Sequence, residues 1–231
     1  MARVSFGAVI PKNGLKFQVD AFNKKSIKVS DTTWKDLSGN GYDLTLINGA
    51  TYSTNVNSPS VSFDGLTQYA RRDFAYDPTG DSEHTFSTWI YFNSGGSDSR
   101  FFWHGHYGVM SYKDGADRIK YYTRSSLLTQ ENSMEYSINI GEWMFISGTW
   151  AVNGDKKLYH NGVVVDTSTH GGTLLPSNNN SRITLGLETT TVRQFNGYMN
   201  DVMIYNRCLS PKEIYQIYNT QRGKYGVFDN I

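Results

Sequence analysis

Apolar positions along this chain recur with a period of two, in short runs broken by turn residues. Leu15, Phe17, Val19 and Ala21 alternate with Lys16, Gln18 and Asp20, the pattern of a half-buried strand. A turn at Ser38-Gly39-Asn40-Gly41 precedes a short strand over 44–47, and Asn48-Gly49 ends it. Val61 and Phe63 mark another strand, closed by Asp64-Gly65. Within 85–92, Phe86, Ile90 and Phe92 share one phase. Runs over 101–112 and 118–124 read as a further pair, separated by Lys113-Asp114-Gly115-Ala116. Residues 142–151 are apolar on both faces, which predicts a central strand of a layered structure. Leu158-Tyr159-His160 and Val163-Val164-Val165 flank Asn161-Gly162, a pair that accepts the positive φ angles of a type I′ hairpin. Ile183, Leu185 and Leu187 then alternate with Thr184 and Gly186.

The period changes near the end. Val202 and Ile204 continue a strand, but the apolar phase slips between Met199 and Val202, which predicts a bulge. Ser210, Pro211 and Glu213 then fill the N-cap, N1 and N3 positions of a helix, a capping box with proline where its missing N–H costs nothing. Leu209 and Ile214 can form a hydrophobic staple. Ile214, Ile217 and Tyr218 keep one helical face, and Gly223 suits the end. Roughly a dozen strands and one helix predict an all-β fold: a two-sheet antiparallel jelly-roll sandwich with one short C-terminal helix. The polar stretches 93–99 and 177–181 have loop length, not linker length. Residues 13–231 therefore read as one domain, and 1–12 as an N-terminal arm.

Charge narrows the partners. Lys and Arg number 22 against 21 Asp and Glu, a net charge of +1, so the chain carries no field to attract nucleic acid or an anionic membrane. No apolar stretch approaches the roughly 20 residues that span a bilayer. The first residues lack the apolar core of a secretory signal. Cys208 is the one cysteine, so no intramolecular disulfide forms, and it reads as a small residue near a strand end. These features predict synthesis in a reducing cytoplasm without a cleaved signal.

The ordered motifs carry a resemblance. Trp34-Lys35-Asp36-Leu37-Ser38-Gly39-Asn40-Gly41 resembles the N-terminal signature of laminin-G-like jelly rolls in the concanavalin A-like lectin/glucanase superfamily. Ser62-Phe63-Asp64-Gly65 with Tyr69, then Phe86-Ser87-Thr88-Trp89-Ile90, are similar to the next two motifs. Gly141-Glu142-Trp143 through Asn161-Gly162-Val163 resembles the Trp strand and hairpin, and residues 195–214 resemble the closing strand and helix. Within the superfamily, Gly14-Leu15-Lys16-Phe17-Gln18-Val19-Asp20-Ala21 resembles stand-alone members among tailed-bacteriophage virion proteins. That resemblance implies a virion structural protein, decorating a capsid or belonging to a tail, with other virion proteins as partners and a homo-oligomer on the particle. The alternative class is a carbohydrate-binding, lectin-like module recognising host or environmental polysaccharide.

Candidate chemistry follows from the residues. Glycanases of this fold are expected to converge carboxylates on a cleft, a retaining pair lying roughly 5–5.5 Å apart. No Glu-x-Asp-x-x-Glu cluster occurs; Asp81-Ser82-Glu83 precedes a strand, and Asp114 and Asp117 fall in a loop. No catalytic residue is assigned, and the chain reads as a non-enzyme. His104-Gly105-His106 places two imidazoles on one strand face, but a structural zinc needs two more ligands. His84, His160 and His170 are isolated. Calcium is the metal that Asp36, Asn40 and Asp43 suit, with Asp201 re-aimed by the bulge as a further ligand. The alternative is that these side chains only stabilise turns. Tyr107, Tyr112, Tyr121 and Tyr122, with Arg118 and Arg124, are candidates for a glycan surface, or else tyrosines half-buried at a sandwich rim. In the arm, Phe6, Val9 and Ile10 are candidate docking residues for added-strand pairing, against a disordered terminus.

Overall fold

The computed structural model describes residues 10–72, 83–93, 99–104, 108–113, 117–122, 133–151, 155–169, 182–187 and 194–228, without the side chains of 103, 104, 108–113 and 122. Alternating segments pair into two antiparallel sheets. The first runs in the order β14 (Val163–Thr169), β13 (Asp155–His160), β12 (Trp143–Trp150), β7 (His84–Phe92), β16 (Asn196–Tyr205), β5 (Ser60–Asp64) and β4 (Thr51–Ser53). Along one edge of β16, the first half pairs with β5 and the second half with β1 (Leu15–Val19). The second sheet runs β11 (Ser133–Ser137), β10 (Arg118–Tyr122), β9 (Gly108–Lys113), β8 (Arg100–His104), β15 (Ile183–Leu185), β6 (Tyr69–Arg72), β3 (Leu44–Ile47) and β2 (Thr33–Trp34).

The all-β sandwich with one short C-terminal helix is as the sequence pattern predicts. The run 101–112 is a correction: it forms two strands, β8 and β9, paired with each other. Asn161 and Gly162 take φ 49° and 80°, as the hairpin between β13 and β14 requires.

Apolar residues on facing sides of the sheets meet in the main core, where Phe17, Phe63, Phe86, Ile90, Phe101, Ile119, Ile146 and Leu185 are buried. The first sheet is buried on its other face too. Helix α1 (Pro211–Gln221) and a 3-10 turn (Arg222–Tyr225) lie over Trp89, Phe145, Tyr159, Met203 and Tyr205. This third layer explains why every residue of β12 is buried. The helix starts as its sequence dictates. The Ser210 hydroxyl accepts from the Glu213 N–H at 3.3 Å, and the Glu213 carboxylate accepts from the Ser210 N–H at 2.9 Å. Leu209 and Ile214, the staple pair, are both buried. Ile214 and Ile217 are fully enclosed, each worth about 1.5–3 kcal/mol of apolar burial. Gly223 does not end the helix; the 3-10 turn carries it on, and Gly226, at φ 69°, is the left-handed stop.

The predicted bulge is present. The register of β16 against β7 shifts between Asn200 and Met203, and Asp201 sits at φ 48°. Met199, Val202 and Ile204 consequently share the inter-sheet core despite their odd and even numbers. Asn200 bridges the interruption: its Oδ1 accepts from the Ala21 N–H at 2.6 Å, and its Nδ2 donates to the Pro59 carbonyl at 2.9 Å. Among the described residues, no helix is long and apolar enough to cross a membrane.

Candidate functional site

Strand register puts three aromatic side chains in one row on the helix-side face of the first sheet. Tyr198 of β16 is opposite Tyr91 of β7, and Tyr91 is opposite Trp143 of β12. Their rings meet edge to face, Tyr91 lying 5.9 Å from Tyr198 and 5.8 Å from Trp143. The row lies at the end of the sheet beyond the helix. There Tyr91 and Trp143 form one wall of a cleft of about 670 Å³, with Tyr198 packed behind Tyr91.

Tyr225 of the 3-10 turn lines the cleft too, stacked on Trp89 at 4.1 Å and tilted against Trp143 at 4.9 Å. Three polar groups hold these walls in place. The Trp143 indole N–H donates to the Val56 carbonyl at 3.1 Å, fixing the turn between β4 and β5. The Asn161 side-chain oxygen accepts from the Phe145 N–H at 2.9 Å. The Tyr225 hydroxyl donates to Asp201 Oδ2 at 2.7 Å. Asn55, Asn57 and Glu142 line the cleft as exposed side chains, and Phe228 stands at its far side, 72% exposed. Half-buried and exposed aromatic faces beside two carboxamides and a carboxylate suit a ligand with apolar ring faces and hydroxyl edges.

Behind the cleft, the bulge places Asp201 in a fully buried site. Burial, then the neighbouring Asp20 carboxylate, pushes its carboxyl up to about 7, against opposing pulls from Lys224 and Tyr225. Asp201 Oδ1 has no hydrogen-bond partner. Lys224 Nζ lies 3.6 Å from both Asp201 Oδ2 and Asp20 Oδ2. Near the cleft's edge, burial lowers the His160 imidazole, with Glu142 opposing.

The residues singled out by sequence fall elsewhere. Asp36 Oδ1 accepts from the Gln18 N–H at 3.0 Å and the Ser38 N–H at 2.9 Å. Its Oδ2 accepts from the Ser38 hydroxyl at 2.7 Å and the Tyr42 N–H at 3.0 Å. Asp43 Oδ1 accepts from the Asp36 N–H at 2.8 Å, and Asn40 Nδ2 donates to the Lys16 carbonyl at 2.9 Å. Asp36 and Asn40 therefore tie the turn to β1, and Asp43 closes it on Asp36. Asp201 engages a different set, Tyr225, Lys224 and Asp20, where the Lys224 ammonium already supplies a cation. No group of three or more metal-binding side chains occurs among the described residues.

Tyr121 is a correction. It is 2% exposed, in the inter-sheet core with Ile119, its hydroxyl 3.2 Å from His84 Nε2, so it cannot present a ring to a glycan. Arg118, on the opposite phase of β10, is paired with Glu135 at 3.0 Å. Tyr112 and Tyr122 lie in β9 and β10 with undescribed side chains; Tyr107, Arg124, His106, Asp81 and Asp114 lie outside the described residues. Phe6 and Val9 also lie outside them, and Ile10 packs on this domain's own helix-side core, so it does not extend as a docking arm.

The cleft residues were missed by sequence reading, yet Thr88-Trp89-Ile90-Tyr91 held a signal. Its helix-side phase carries Trp and Tyr where a solvated face would carry charge.

Known proteins share this architecture. The binding domain of Paraclostridial Mosquitocidal Protein 1 superposes with a TM-score of 0.72 at 19% identity, over 90% of this chain and 52% of that one. The binding domain of botulinum neurotoxin DC, solved in complex with SialylT, gives 0.71 at 14% identity, over 90% and 52%. The same domain in complex with rat synaptotagmin II gives 0.71 at 14%, over 92% and 52%. The chain thus spans about half the length of these structures. A search of curated protein sequences found no match. The Laminin_G_3 family model, described as concanavalin A-like lectin/glucanases superfamily, matches residues 64–215, well over half of the sequence. The chain belongs to that superfamily, as a laminin-G-like jelly roll.

Proposed function

We propose that this protein is a non-enzymatic, lectin-like binding module that holds a glycan in the cleft formed by Tyr91, Trp143, Tyr225 and Phe228. The observation that carries this reading is the juxtaposition of those rings with the exposed Asn55, Asn57 and Glu142 in one cavity. Ring faces would take the apolar side of a pyranose, and the amides and carboxylate its hydroxyls. Glu142 is the one carboxylate among the described residues lining the cleft, whereas glycoside hydrolysis takes a pair. Fold-level support comes from the toxin binding domains, one of them solved with SialylT. The virion reading, with its virion partners and homo-oligomer, draws no support from those structures. Calcium is left without a role in this reading.

The test is a glycan array followed by calorimetric titration of any hit, with reducing-sugar release monitored alongside. Tyr91→Ala and Glu142→Gln are each expected to weaken a glycan ligand about tenfold or more, through a lost stacking face and a lost charged acceptor. Unchanged affinity in both variants, or no glycan bound by the wild type at millimolar concentration, would overturn the proposal.

A further inference from the structure

A second concave surface lies on the connection between β1 and β2. Within 23–35 the chain places four lysines, Lys24, Lys25, Lys28 and Lys35, all exposed, around a hollow of about 530 Å³ completed by Asp31, Thr32 and Thr33. The chain as a whole is nearly neutral at +1, so this concentration of positive charge is local.

The loop is built, not loose. Ser26 and Ile27 are buried, and Trp34 is fully enclosed. The Ser26 hydroxyl donates to the Lys35 carbonyl at 2.6 Å, and the Lys35 N–H donates to the Ser26 carbonyl at 2.8 Å, so the two ends are clamped. Asn23 Oδ1 accepts from the Lys25 N–H at 3.0 Å. Asp31, the single acid of the hollow, accepts from the Lys28 main-chain N–H at 2.8 Å. Among the described residues, none of the four ammonium groups has an ion-pair partner. Four ammoniums on a clamped loop form an anion-receptive hollow, since the backbone ordering cost falls on folding and not on binding.

We infer that this loop is a binding site for an acidic glycan, one carrying sulfate or carboxylate groups. The choice of a glycan over other polyanions rests on the proposed function and on position. Phe22, one residue before the loop, packs edge-on against Tyr225 at 5.6 Å, and Tyr225 lines the aromatic cleft. The loop is thus joined, through that ring pair, to an element that lines the cleft. The hollow holds no aromatic side chain to stack a nucleobase. Between 23 and 35, Val29 is the one exposed large apolar side chain, too little to seat in a bilayer.

The experiment titrates the intact protein with dextran sulfate, polygalacturonate and neutral dextran at low and high salt. Duplex DNA and phosphatidylserine vesicles are run as competitors. The wild type is expected to bind one or both acidic polymers more tightly than dextran, with an affinity that falls as salt rises; which polymer binds distinguishes sulfate from carboxylate. The triple variant Lys24→Gln/Lys28→Gln/Lys35→Gln, which alters exposed side chains alone, is expected to lose roughly tenfold, the share of three exposed ion pairs. Tyr91→Ala is expected to retain the acidic-polymer affinity while losing cleft ligands, so the two readings fail separately. Equal binding by the triple variant, no binding of either acidic polymer, or DNA or vesicles bound as tightly as the glycans would overturn the inference.

Discussion

Replacing Asp201 by Asn tests the site behind the cleft. Asp201 is fully buried, and its carboxyl titrates at about 7 in the fold against an ordinary 3.8. The difference of about three units, at 1.36 kcal/mol each, corresponds to a penalty of about 4 kcal/mol for holding the ionised form. Between pH 3.8 and 7 the folded chain keeps a proton here that the unfolded chain has released. This site's contribution to stability therefore falls as pH rises through that window and levels off above it. Asparagine accepts the positive φ of 48° and can still take the Tyr225 hydroxyl bond. Its amide nitrogen would stand unpaired in the place of Oδ1, costing about 1–3 kcal/mol. The variant should therefore be the less stable protein near pH 4 and the more stable one near pH 8. Urea denaturation of both proteins across that range gives the difference curve, in which other carboxylates cancel. It should change by about 3–4 kcal/mol. A difference constant to within about 0.5 kcal/mol would refute the assignment of a neutral, buried Asp201.

Two further substitutions probe other elements. A Cβ at Gly197 would stand 2.1 Å from the Tyr91 carbonyl oxygen and 2.6 Å from the Phe195 ring, so Gly197→Ala should cost about 3 kcal/mol or more and lower the melting temperature sharply. Glu213 is held down to about 2 from 4.5, first by the Arg207 guanidinium and then by Ser210, so its contribution is complete above pH 4.5 and is lost as pH falls toward 2. Glu213→Gln should remove that part of the acid sensitivity, read as the wild-type-minus-variant stability between those pH values.

Features whose cause is local were legible in the sequence. The capping box, the Asn161-Gly162 turn and the slip of phase before Val202 each depend on neighbours in the chain, and each is present. Features decided by distant packing were not. Period two separates the two faces of β10 but does not say which face meets the other sheet, and Tyr121 proved to be on the inner one. The same uncertainty hid Tyr91, because only the sheet order brings Tyr198, Tyr91 and Trp143 into one row. The hairpin of β8 and β9 was read as one strand because its apolar phase runs on past Gly105.

The location of the cleft follows from a mismatch of lengths between layers. Helix α1 has 11 residues and spans about 16 Å, whereas the 10 residues of β16 extend about 33 Å. Even laid along that strand, the helix shields about half of it. Its first turn is fixed beside β7 by the Leu209 N–H, which donates to Thr85 Oγ1 at 2.9 Å, so it covers the Tyr205 and Met203 end. The 3-10 turn extends the cover as far as Trp89 and Trp143 by way of Tyr225. Beyond that point the sheet face would be bare. Tyr91 and Tyr198, half-buried there, are the residues a partly wet face takes, with an apolar body against the sheet and a hydroxyl for water. Gly226 then turns the chain, so that Val227 and Phe228 stand as the far wall of a cleft and do not continue along the sheet. The aromatic surface is thus exposed because the covering layer ends, and it becomes a cleft because Val227 and Phe228, beyond the Gly226 turn, line it as well.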